Sequence, residues 1–235
     1  MSARVLVGTS SWSERTLVHE SGWYPRRTMK AAERIAYYAS RFPLVEIDAT
    51  ARFPPTPDLS RQWVDRTPAD FTIDVAAWTL LCGGAALPDS LWEDLREEVR
   101  PELRDRRRLL ALAVELTHRR WLEARECEAT LEFLEEQDLG FVCVDPREGR
   151  PVVATTSDLA VVRFGGRNPG NWEEPDLDIG ERYAYRYTAG ELASWVGSIG
   201  ELASAAAEVH VLFSNCWRDD AVVNAAELTA LLAAL

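Results

Sequence analysis

The residues most able to do chemistry in this chain sit where short apolar runs end. V-E-I-D at 45–48, A-V-E-L at 113–116, V-C-V-D at 142–145, V-V-R at 161–163 and L-F-S-N at 212–215 each close on a charged or polar group. Glu46 and Asp48 are two apart, so on a strand they share one face while Val45 and Ile47 take the other. With Glu115 and Asp145 from neighbouring runs they make an all-carboxylate set, suited to Mg²⁺ or Mn²⁺ or to acid/base work. The competing reading is a buried ion-pair network in which Arg163 and Arg167 satisfy those acids. The two arginines flank Gly165 and Gly166, and guanidinium forks beside exposed backbone N–H groups would cradle phosphate or carboxylate. The two roles are compatible, because a ligand anion can compete with the acids.

His118 follows the Glu115 run and is the candidate general base beside it; its alternative is a hydrogen bond within a loop. His210 lies early in the last apolar run and reads as structural, and His19 falls in a loop. Asn215 offers a polar contact at the last run. Trp12, Trp23, Trp121, Trp172 and Trp217 follow such runs, and of these Trp12 is the candidate for stacking on a flat ligand. R-D-R-R-R at 104–108 reads as a solvated helix end rather than a nucleic-acid patch, since it lacks interleaved aromatics.

Buried parallel strands with chemistry at their C-terminal tips explain the pattern, and the (β/α) barrel is the commonest such arrangement. Strands are expected at 5–10, 44–49, 71–77, 109–116, 140–145, 159–164 and 209–214. Helices are expected at 30–41, after Asp58, and at 123–137, 189–207 and 220–235. Residues 11–28 and 78–88 read as loops, and 89–107 as a charged helix broken at Pro101. Seven strands alternate with helices and no Pro/Gly/Ser linker intervenes, so residues 1–235 form one expected domain.

Composition bounds the function. The chain has 235 residues, 47% hydrophobic and 27% charged, with a net charge of −12. That field repels nucleic acid and anionic membranes. The four cysteines (82, 127, 143, 216) show no C-x-x-C spacing, which removes the simplest zinc and redox readings. No run of about 18 apolar residues occurs and no leader pattern opens the chain, so a cytoplasmic location is expected.

The same segments resemble the domain of unknown function 72 family, the YecE-like proteins. The matching stretches are G-T-S-S-W at 8–12, Y-P at 24–25, R-I-A-Y-Y-A-S-R-F at 34–42, V-E-I-D-A-T at 45–50, P-P-T-P at 54–57 and W-V-D-R-T-P-A-D-F at 63–71. V-E-L-T-H-R-R-W at 114–121, V-V-R-F-G-G-R at 161–167, R-Y-A-Y at 182–185, and F-S-N-C with N-A-A-E-L around 213–228 continue the series. The resemblance implies a TIM-like barrel over nearly the whole chain and assigns no activity. It also implies departures: Ala76 for a lysine, Ala51 and Arg52 for an aromatic pair, C-G-G at 82–84 for T-G-H, Thr117 for an arginine, Gly165 for a histidine and Ser214 for an asparagine. The family's fourth strand has no counterpart between Asp89 and Leu109. The expectation is therefore a barrel short of about one βα unit, with a second copy or partner chain as a candidate cover for the exposed edge. Its polar pocket binds a small anionic ligand with little or no catalysis. The alternatives are a metal-assisted hydrolase or lyase on a small phosphorylated or sugar-like substrate and, disfavoured by charge, a nucleic-acid-processing barrel.

Overall fold

A computed structural model describes residues 3–51, 55–77, 111–168, 177 and 179–234. Expectations falling on Arg52, the 78–110 segment and Trp172 lie outside the described residues. Among the described residues seven strands are present: β1 (Arg4–Thr9), β2 (Leu44–Ile47), β3 (Thr72–Val75), β4 (Ala113–Val114), β5 (Gly140–Val144), β6 (Leu159–Phe164) and β7 (Glu208–Phe213). Every pairing is parallel, in the order β3-β2-β1-β7-β6-β5-β4. The first and last strands lie side by side at the centre, which curls the sheet into a half barrel. Among the described residues, β3 and β4 form its two ends.

The helices among the described residues are α1 (Arg15–His19), α2 (Ala31–Ala39), α3 (Pro57–Asp65), α4 (Ala124–Glu136), α5 (Ile179–Arg182), α6 (Ala189–Ala205) and α7 (Asp220–Leu232). Local chemistry sets their starts. Thr56 accepts from Leu59 N ahead of Pro57, and Thr188 with Glu191 forms a reciprocal capping box on α6. Among the described residues, no helix is long and apolar enough to cross a membrane.

Strand alternation splits the apolar residues into two layers. Leu6, Leu44, Val142, Val161 and Leu212 pack inside the curl. The opposite faces, with Val7, Val45, Cys143, Val162 and Val211, pack under the helices against Ile35, Tyr38, Trp195, Ile199 and Leu228. Gly8 is needed where β1 meets β2: a Cβ there would lie 2.0 Å from the Leu44 carbonyl oxygen. Tyr38, fully buried on α2, accepts from Thr9 N at 2.8 Å and donates to Leu44 O at 3.0 Å, pinning one helix to both strands.

The inward polar residues lie at both ends of the apolar interior. At the strand N-terminal side, His210 on β7 reaches across to Asp74 on β3 (Nδ1 to Oδ2, 3.0 Å), while its Nε2 meets Glu208 at 3.1 Å. Those acids raise the His210 pKa against the opposing effect of its burial. At the other end lies the cavity described next.

Candidate functional site at the strand tips

A cavity of about 740 Å³ opens at the C-terminal tips of the strands. Its floor is built around Arg163, which leaves β6 directed inward. The guanidinium grips Glu46 of β2 as a fork, Nη1 to Oε2 at 2.7 Å and Nη2 to Oε1 at 2.6 Å. Nη1 also reaches the hydroxyls of Ser214 (2.8 Å) and Ser10 (3.2 Å), which lie 2.7 Å from each other. These hydroxyls stand just past the tips of β7 and β1, so four strands converge on one cation. Glu115, one residue past β4, brings Oε2 to 2.6 Å from Nε, off the N–H axis and so as an ion pair rather than a hydrogen bond.

The electrostatics follow from burial and pairing. Burial alone would push the Glu46 pKa up, but the Arg163 fork outweighs it and holds the carboxyl below its ordinary value. The same carboxylates push the Arg163 pKa further above its already high value, so its charge is permanent. Burial raises the Tyr183 hydroxyl and the Cys216 thiol, the latter helped by Asp48, Glu14 and Glu46. Both line the cavity and both stay protonated at neutral pH.

The other sequence-derived candidates divide. Glu46, Asp48, Glu115, Asp145 and Arg163 line this one cavity. Asp48 does so from a 3-10 turn (Asp48–Ala51) and not from the strand, which ends at Ile47. Arg167 is not on the wall. It turns to Asp145, with Nε at 2.8 Å and Nη2 at 2.5 Å, and approaches Glu191 at 3.5 Å. The Asp145 side chain is wholly buried and also accepts from Tyr187 Oη (2.9 Å) and Trp195 Nε1 (2.8 Å). Gly166, at φ +90°, donates its N–H to Tyr187 Oη at 2.8 Å. One of the two glycine N–H donors between the arginines is therefore spent inside the protein.

His118 is exposed and caps the 3-10 turn Arg119–Leu122 by accepting from Arg120 N at 3.2 Å; it is not on the wall. Asn215 is buried beside the wall, donating to Tyr185 O and Asn224 Oδ1. Trp12 is core, packed edge-on against Trp63. Both Glu46 oxygens are taken by Arg163. Among the described residues no three His, Cys, Asp or Glu side chains are grouped to hold an ion.

Ser10, Glu14, Arg147, Tyr183 and Cys216 also line the wall, and sequence reasoning does not single them out. Ser10 had a usable signal, since it follows β1 just as Asp145 follows β5. Gly165 also lines the cavity, and a Cβ there would meet nothing within 4 Å.

A curled parallel α/β sheet with a polar cavity at its strand tips defines a class of barrel-like proteins, and the comparisons narrow it. The profile of a family described as "Protein of unknown function DUF72" matches residues 6–106 and 84–235, and the chain belongs to that family. It is similar to the UPF0759 protein YunF of Bacillus subtilis (strain 168), 26% identical over 272 residues, covering 97% of this chain and 94% of that protein. Two crystal structures share the fold. A DUF72 family protein from Enterococcus faecalis V583 gives a TM-score of 0.77 at 22% identity, covering 97% of this chain and 95% of its own. One from Thermotoga maritima MSB8 gives 0.74 at 25% identity, covering 98% and 99%.

Proposed function

We propose that the cavity binds a small ligand through an anionic group, with little or no turnover. Arg163 carries this reading: it is a permanent cation, four-fifths buried, held rigidly on the cavity floor by Glu46, Ser10 and Ser214. Buried guanidinium forks of this kind suit carboxylate and phosphate groups. Acid–base chemistry needs a group that exchanges protons near neutral pH. Around this cavity Glu46 is held low, and Tyr183 and Cys216 are held high. The open space at Gly165, where the resemblance implies a histidine, supports the same reading.

The fold we infer is a single TIM-like barrel lacking about one βα unit between β3 and β4, in a cytoplasmic protein whose open edge a partner or second copy could cover. Two observations support the missing unit. The family profile matches in two pieces that overlap over residues 84–106, and the alignment to the Bacillus protein, 272 residues, is longer than this 235-residue chain.

The test is a thermal melt in millimolar inorganic phosphate against chloride of equal ionic strength. Binding to the native state raises Tm by mass action. The paired variant Glu46→Gln/Arg163→Gln removes the cation while keeping volume, and should lose the response. A phosphate response unchanged in that variant would place the effect elsewhere.

A further inference from the structure

The two carboxylates on Arg163 are not equivalent. Glu46 uses both oxygens and both terminal nitrogens, its side chain is 10% exposed, and it sits on a strand paired on both sides. Among the described residues Glu115 makes one contact with Arg163, off the N–H axis at Nε, and its side chain is 36% exposed. It follows a two-residue strand whose pairings among the described residues are Ala113 with Gly140 and Val114 with Phe141. The first acid is part of the floor; the second is lightly held and faces the cavity that both line.

Resting on the anion-binding reading above, we infer that the Nε edge of Arg163 is the anion subsite and that Glu115 is its built-in occupant, displaced by a carboxylate or phosphate ligand. The chemistry is ligand exchange at a guanidinium. An incoming carboxylate or phosphate monoester offers oxygens that can align on the N–H axis, which Glu115 does not achieve. The displaced side chain is already about a third exposed and regains water, so exchange leaves no buried charge unpaired. A neutral polyol gains less here, because removing Glu115 without supplying a negative charge weakens the pairing at Nε. The arrangement therefore selects for anions and sets their affinity by the strength of the contact they replace.

The experiment is calorimetric titration of the wild-type chain, Glu115→Gln and Asp48→Asn with inorganic phosphate, in about 0.15 M salt to screen the general field. Asp48 lines the same cavity, so Asp48→Asn removes the same charge without touching the Nε edge. Glu115→Gln is expected to bind phosphate about five- to tenfold more tightly than wild type, the net scale of one ordinary hydrogen bond, as suits a contact that is off-axis and partly exposed. Asp48→Asn should change affinity by about twofold or less. Tight binding by Glu115→Gln with none detectable in wild type also supports the inference. Equal gains in the two variants, or weaker binding by Glu115→Gln, overturn it while leaving the anion-binding reading in place. No binding by any of the three proteins overturns both.

Discussion

Replacing Asp145 by asparagine is the sharpest probe of how the strand tips are held. The carboxylate is completely buried and receives four donors: two from Arg167, one from Tyr187 and one from Trp195. Asparagine keeps the shape but has a single oxygen, and its NH₂ must face one pair of donors. Placed at Oδ1, it opposes Trp195 Nε1–H and Arg167 Nη2–H. Placed at Oδ2, it opposes Arg167 Nε–H, and the Tyr187 hydroxyl, already accepting from Gly166, loses its acceptor. Each orphaned buried donor costs about 1–3 kcal/mol, and breaking a buried ion pair about 3–5 kcal/mol. Arg167 is 29% exposed and recovers some hydration, so about 3 kcal/mol is expected in total. With an m-value of roughly 2–3 kcal/mol/M in urea, the midpoint should fall by about 1 M. Trp195→Phe, which removes one donor and orphans none, should cost about 1 kcal/mol. A loss under 1 kcal/mol for Asp145→Asn, or a larger loss for Trp195→Phe, would refute the reasoning.

Other expectations follow from the same geometry. The raised His210 pKa gives a stability contribution that is full below the unfolded-state value of about 6.5 and lost as pH rises through the higher folded-state value. Urea midpoints should decline across that window in wild type and lose that component in His210→Gln, which should cost about 1–2 kcal/mol at pH 6. Glu46 has the opposite sign: its lowered pKa contributes stability above about 4.3 that disappears as pH falls through the folded-state value. Acid titration of Glu46→Gln should lack that component. Gly165→His should fold with a change within about 0.5 kcal/mol, since nothing lies within 4 Å of the added Cβ; a loss above 2 kcal/mol would show that the space is not there.

Most of the sheet was legible because period-two patterning is set by burial, which sequence records directly. The expected strand 159–164 coincides with β6, and 209–214 is displaced from β7 by one residue. Strand ends were less legible where a turn takes over. Thr50 donates to Ile47 O and Ala76 O and draws the chain after Ile47 into a 3-10 turn, removing Asp48 from the strand. Helix α1 is illegible in the sequence because its five residues are too few for periodicity to show. Its cap is a glutamate, Glu14, accepting from Leu17 N at 2.9 Å. Within the site, the residue types were readable but their pairing was not. Arg163 finds Glu46 and Arg167 finds Asp145 across 117 and 22 residues, and sequence carries no signal for which guanidinium points inward. Tyr187, just ahead of α6, and Trp195, within it, fix Asp145 from positions that resemble ordinary core.

The central claim is that the Glu46–Arg163 fork is a fixed cationic floor and not a carboxylate metal centre. A crystal soaked with phosphate and Mn²⁺, with data collected at the manganese edge, tests it directly. The account predicts an anion about 3 Å from Arg163 Nε, the fork to Glu46 intact and no anomalous peak beside it. A manganese peak bridging Glu46 and Asp48, with Arg163 swung away, would contradict it.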